Sequence, residues 1–159
     1  MTDRPGTRRR ALLAVLVVVF GAVGWAARAA VEGALANGRI VDLDLLQLRL
    51  LHNPGVAFSF GAGLPAGVVA AGTGLVVLVI AGYTWRGAAD VPLPALVGLA
   101  AVLAGAITNL ADRLADGTVT DYFHTGWFAT FNVPDVFISV GAVLAALAIV
   151  TAQREAKAR

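Results

Sequence analysis

Four long stretches of the chain carry no charge: Ala11 to Ala27, Leu64 to Trp85, Val91 to Ala111 and Val136 to Gln153. At a rise of about 1.5 Å per residue, each reaches or approaches the length needed to cross a hydrocarbon layer about 30 Å thick. The pattern predicts spanning helices over about residues 11–28, 64–85, 91–111 and 136–153. Tyr83 and Trp85 close the second run at the depth where interfacial aromatic residues gather. The first run also fits a cleaved signal peptide, with its basic start and the small residues Ala26, Ala27, Ala29 and Ala30. A chain that is membrane-like throughout is better served by an uncleaved first helix.

The segments between the runs differ in kind. Around residues 29–63, Asn37-Gly38 signals a turn, and Ile40, Asp42 and Asp44 alternate with Val41, Leu43 and Leu45. Period-two alternation predicts a short strand region outside the membrane, which Asn53-Pro54-Gly55 then breaks. Residues 86–94 make a short connection. Residues 112–135 are expected to form a loop with its own aromatic cluster, Tyr122, Phe123, Trp127, Phe128 and Phe131.

Composition agrees with this pattern: 58% of residues are hydrophobic and 14% charged, against a soluble norm of roughly 45–50% and 25%. The expected fold class is an all-α membrane protein of four transmembrane helices, with a short strand region outside the membrane between helices 1 and 2. The 159 residues form a single domain, 1–159. The absence of cysteine excludes a disulfide, a thiol nucleophile and a cysteine-ligated metal. With four spans both termini share one side, which holds eight basic residues; the other side holds Arg28, Arg39, Arg49 and Arg113 together with seven acids. The positive-inside bias therefore predicts cytoplasmic termini, and places Asp121 and Asp135 at the outer face.

Ionisable groups beside a membrane core are costly, so each needs a partner or a task. Asn109, Asp112 and Arg113 stand at i, i+3 and i+4 and share a helix face; an Asp112–Arg113 pair bracing the helix end is the expectation there. Asp121 and Asp135 have no basic neighbour in sequence. One follows the third span and the other heads the fourth, so antiparallel helices bring both to one depth. Taken separately, Asp135 also reads as a helix-start acid and Asp121 as a solvated loop acid. Together they can share one proton, one acting as base toward water and the other as donor to a carbonyl, the machinery of an aspartic protease. Other chemistries are poorly served. No GxSxG elbow surrounds Ser59 or Ser139, and no HExxH pair supports a metal site built on His124, Asp121 and Asp135. A proton-coupled or lipid-binding membrane protein is the alternative from another class, although no ionisable residue interrupts the middle of any run.

Four stretches together resemble lipoprotein signal peptidase, also called signal peptidase II, a bacterial family of intramembrane aspartic peptidases. They are NPGVAFS (Asn53 to Ser59), NLADR (Asn109 to Arg113), VTDYF (Val119 to Phe123) and FNVPD (Phe131 to Asp135). The resemblance implies that Asp121 and Asp135 are the catalytic pair. It implies that Asn53, Asn109, Asp112, Arg113 and Asn132 hold the site or the substrate, with no metal or organic cofactor. It also implies a substrate: a prolipoprotein whose cysteine already carries diacylglycerol, cut just before that cysteine. The resemblance further implies a small extracytoplasmic β-cradle between helices 1 and 2, within Val31 to Phe60, and a flap formed by the segment from Asp121 to Asp135; the membrane would be the bacterial cytoplasmic membrane. The expected partners are lipid-modified prolipoproteins and membrane lipid, with no nucleic acid, around a monomer. Departures from the family's pattern are Gly24 where helix 1 usually has an acid (GWAAR, Gly24 to Arg28), Pro54, Pro134 in place of alanine, and Val136 and Phe137 in place of small residues. A divergent or weakly active paralogue is the reading that these departures leave open.

Overall fold

The computed structural model describes residues 5–35, 38–55 and 63–158. Helix α1 runs Pro5–Ala34, α2 Ala66–Gly87, α3 Leu93–Asp116 and α4 Val133–Ala158; strands are β1 Val41–Asp42, β2 Gln47–Asn53 and β3 Val119–His124. All four helices are long and apolar enough to cross a membrane. The chain is a multi-pass membrane protein.

Helix α3 is the centre of the bundle because its sequence lets three neighbours approach. Ala95, Gly98, Ala101, Ala104 and Gly105 are buried along it, and α1, α2 and α4 all pack on it. The α3–α4 contact is the tightest. A Cβ at Gly98 would stand 2.5 Å from the Gly141 carbonyl oxygen, and one at Gly105 would collide with the carbonyl of Pro134. Small residues of this kind allow backbone-to-backbone contact between membrane helices. The other helices turn Val18, Leu78, Val79, Val143 and Leu147 outward, as a lipid environment allows. On the other side of α3, Leu13 packs with Ala88, Leu96 and Ala100, and Val17 and Phe20 flank them.

The helices outrun their uncharged cores. α1 begins before Arg8 and continues past Arg28 to Ala34, because charged side chains at helix ends reach water while the backbone stays hydrogen-bonded. An Arg28–Glu32 ion pair at i, i+4 supports the added turn. α3 likewise continues through Asp112 and Arg113. It stops at Gly117, whose φ of 75° closes the helix with an N–H donated to the Arg113 carbonyl.

The cradle is a three-stranded antiparallel sheet in the order β1-β2-β3. Its first two strands lie between α1 and α2; the third comes from the segment expected as a loop after α3. The alternating stretch 40–45 pairs over only two residues, Val41 and Asp42, because Asp44 turns the chain with a φ of 63°. The longer strand is β2, and its register places Leu51 opposite Asp121 and Asn53 opposite Val119. The aromatic segment folds back on β3: Tyr122 and Phe123 donate N–H groups to the Phe131 carbonyl, and the Phe123 and Phe131 rings lie 5.3 Å apart. Of the expected features, Asn37 of the turn and Val56 to Ser59 of the NPGVAFS stretch lie outside the described residues.

Candidate active site

The first turn of α4 carries the most closely specified contacts in the molecule. Asn132 stands just before the helix and accepts the Asp135 N–H on its Oδ1 at 2.8 Å, while Asp135 Oδ2 accepts the Asn132 N–H at 3.0 Å. This reciprocal pair is a capping box, which fixes the carboxylate relative to the helix axis. Every other donor in that turn is accounted for. The Val133 N–H is donated to the Tyr122 hydroxyl at 3.0 Å, Pro134 has none, and the Val136 N–H reaches the Asn132 carbonyl.

The Asn132 side chain, only 1% exposed, also joins the two aspartates. Its Nδ2 shares two protons among Asp121 Oδ1 at 3.1 Å, Asn109 Oδ1 at 3.1 Å and the Thr120 carbonyl at 3.4 Å. Asn109, from α3, donates its own Nδ2 to Asp135 Oδ1 at 2.8 Å. Asn53, from β2, donates to Asp121 Oδ2 at 3.1 Å. Each carboxylate is thus held on both oxygens by N–H donors from different elements. The sheet register makes the Asn53 contact and the helix crossing makes the Asn109 contact.

Asp121 is 2% exposed, and its carboxyl is pushed up to about 7. Burial is the chief cause; Asn53 opposes it, and the nearby Asp135 charge adds to it. Near neutral pH Asp121 therefore exchanges a proton readily.

Asp112 and Arg113 do not pair with each other, contrary to the expectation from their spacing. Adjacent residues on a helix point about 100° apart. Asp112 instead pairs with Arg28 of α1, which also bonds Asp116 at 2.9 Å and Glu32 at 2.8 Å, so Asp112 braces α1 against α3. Arg113 turns the other way and donates to the Asn109 carbonyl at 3.2 Å and the Gly55 carbonyl at 2.7 Å, pinning the turn that follows Asn53. His124 contacts Arg49 and Thr130 in the cradle, and among the described residues no group of three His, Cys, Asp or Glu gathers as metal ligands.

A cavity of about 970 Å³ opens beside the pair. Its polar end is formed by Asn53, Asn109, Arg113, Asp121 and Asp135, and Phe128 and Phe131 border it. Away from that end it runs between α2 and α4 over apolar residues such as Val68, Val76 and Val140.

The sequence matches the family model described as Signal peptidase (SPase) II over residues 12–151. The chain belongs to the signal peptidase II family. Curated relatives named lipoprotein signal peptidase, from Brucella ovis and Brucella abortus, are 43% identical over 119 residues, covering 72% of this chain and 74% of theirs. Two bacterial membrane enzymes solved by the in meso method share the fold. One superposes with a TM-score of 0.74 at 19% identity over 89% of this chain and 88% of its own, the other with 0.71 at 20% identity over 87% and 92%. Membership of this peptidase family disfavours the transporter alternative.

Two of the departures from the family's pattern meet in space. A Cβ at Gly24 would lie 3.3 Å from Pro134 Cγ and 3.6 Å from Thr108 Cγ2, so a side chain at 24 would press on the ring at 134. Arg28, Tyr122 and Gly105 also bear on this region, through Asp112, the Val133 N–H and the close approach of the Pro134 carbonyl, and were not named as site residues from the motifs. Arg28 was visible only as the basic end of GWAAR, and Tyr122 only as part of VTDYF.

Proposed function

We propose that Asp121 and Asp135 are the catalytic pair of an aspartic endopeptidase, which removes the signal peptide from diacylglyceryl-modified prolipoproteins by cutting before the lipidated cysteine. The observation that carries this is the shared Asn132, which couples a buried carboxyl group, Asp121, to a half-buried one, Asp135, through one side chain at the polar end of an apolar cavity. Asp121 holds the proton and Asp135 takes one from water as its oxygen attacks the scissile carbonyl. Asp121 gives its proton to the carbonyl oxygen, forming a neutral gem-diol. As the C–N bond breaks, Asp135 protonates the leaving nitrogen and Asp121 recovers a proton from a diol hydroxyl. The dyad supplies both acid and base, so no cofactor is invoked. The pair titrates as a unit.

The substrate's acyl chains lie along the apolar part of the cavity while its peptide crosses the polar end. Arg113 and Asn53 line that end and hold the adjoining turn, and the aromatic segment carrying Phe128 and Trp127 serves as the flap. Trp127, 84% exposed, suits contact with the membrane interface. The excess of basic residues at the termini supports cytoplasmic ends and an extracytoplasmic site, in a protein acting as a monomer without nucleic acid. Cleavage of a prolipoprotein by the purified protein in detergent, with and without the diacylglyceryl group, tests the substrate assignment. Product from the lipidated precursor alone is expected; equal cleavage of both forms would overturn it.

A further inference from the structure

Helices α1 and α2 both lean on α3 but scarcely touch each other. The seam between them is a second cavity of about 630 Å³, within the size range of small-molecule sites of roughly 300–1,000 Å³. Leu13 and Val17 of α1 form one wall, Ala81 and Gly82 of α2 the other, and Leu103 of α3 the floor. Leu13 lies near the start of α1 and Trp85 near the end of α2, whereas the aspartates lie at the opposite end of the bundle, beyond Arg28.

The mouth of this groove is basic. Arg86 Nη1 lies 3.1 Å from the point where a Cβ on Gly82 would stand, so the guanidinium folds back into the groove over a residue with no side chain. Among the described residues Arg86 meets no acceptor, and the nearby acid of the α2–α3 connection, Asp90, makes no ion pair with it. Arg10 reaches over from α1, donating Nε to the Trp85 carbonyl at 3.2 Å and lying 5.7 Å above the Trp85 ring. No described carboxylate answers Arg10 either. Arg10 thus stands over the Trp85 ring and Arg86 over Gly82, with Trp85 and Arg86 both lining the apolar slot, which is an arrangement that a phosphate with an attached acyl chain complements.

We propose that this groove binds an anionic phospholipid of the leaflet at the N-terminal end of α1, with one acyl chain between α1 and α2 and its phosphate between Arg10 and Arg86. The lipid fills the seam that the protein leaves open and so holds α1 to the bundle. This inference does not depend on the peptidase chemistry.

The test uses the full-length protein in detergent, titrated with phosphatidylglycerol or with phosphatidylcholine of the same acyl chains. Bound lipid is counted by native mass spectrometry. Phosphatidylglycerol is expected to bind more tightly, and R10Q and R86Q are each expected to weaken it about fivefold, with R86K largely retaining it. Gly82→Leu, which displaces the Arg86 guanidinium and fills the slot, should remove it. A photoreactive acyl chain should crosslink near Val17 and Ala81. Folding of each variant is checked by prolipoprotein cleavage, which R86Q leaves unchanged. Equal affinity for the two lipids, an unaltered phosphatidylglycerol affinity in the R10Q/R86Q double variant, crosslinks confined to the larger cavity, or a dimer of the chain that covers the groove would each overturn the proposal.

Discussion

Replacing Gly105 with alanine should slow cleavage by about two orders of magnitude while leaving a membrane-inserted protein. The added methyl would stand 2.9 Å from Ile138 Cγ1 and closer still to the Pro134 carbonyl oxygen. Ordinary carbon contacts need about 3.5 Å or more, so α3 and α4 must part by roughly 0.6–1 Å at this level. Pro134 directly precedes Asp135, and Asn109 lies one turn beyond Gly105, so the same opening stretches the 2.8 Å Asn109–Asp135 hydrogen bond toward the limit of about 3.5 Å. A displacement of about 1 Å between catalytic groups costs about 10²-fold in rate, and overpacking costs about 1–3 kcal/mol of stability. Cleavage of a lipidated prolipoprotein would be followed for Gly105→Ala beside Gly98→Ala and Gly33→Ala, with thermal unfolding of each. Gly98→Ala crowds the same helix pair two turns away and should lose stability with a smaller fall in kcat. Gly33 has nothing within 4 Å of its Cβ position, and its alanine variant should match the parent. A kcat for Gly105→Ala within threefold of the parent, or a loss no larger than that of Gly98→Ala, would refute the idea that this crossing positions Asp135.

Other consequences concern the hydrogen-bond network and its protons. Activity should fall on an alkaline limb with an apparent pKa near 7, because Asp121, pushed up to about 7 by burial, loses the proton it donates. Asn53→Ala removes a hydrogen bond that favours the ionised form and should move that limb to higher pH; a limb that stays in place would count against the assignment. The raised folded-state value means that Asp121 contributes stability below its ordinary carboxyl range and loses it as pH rises through about 7. Asp121→Asn should therefore gain thermal stability relative to the parent between pH 5 and pH 8. Asn132→Ala should cost about 1–2 kcal/mol from the lost cap and lower kcat more than it raises KM, as steady-state kinetics would show. Arg28→Met should destabilise by about 3–5 kcal/mol, since Asp112 is left buried without its cation; unchanged denaturant resistance would contradict that account.

The four spans were legible because long uncharged runs have few other uses, and the two aspartates because four motifs recur in order. The helix ends were less so: Arg8 to Arg10, Arg28 and Glu32 continue the α1 helix beyond its apolar core, so charge marks the edge of the hydrocarbon and not the edge of the helix. The partner of Asp112 was misjudged because the nearest basic residue in sequence, Arg113, faces another way, and Arg28 lies 84 residues distant. Period-two alternation at 40–45 pointed to a strand region, but the longer strand is Gln47–Asn53, where turn chemistry at Asp44 and pairing with β3 decide the register. Asn53 could be named as a site residue from its motif, yet its hydrogen bond to Asp121 follows from that register alone. The match between Gly24 and Pro134 could not be read from sequence, since it depends on how α1 crosses the first turn of α4.

The most direct measurement is the cleavage rate of a diacylglyceryl-modified prolipoprotein by the parent protein, Asp121→Asn and Asp135→Asn, each confirmed as folded in detergent. Loss of product in both variants, to below about 10⁻³ of the parent rate, is the result expected of a pair in which one carboxyl activates water and the other protonates the carbonyl. Cleavage near the parent rate by either variant would contradict a two-aspartate mechanism.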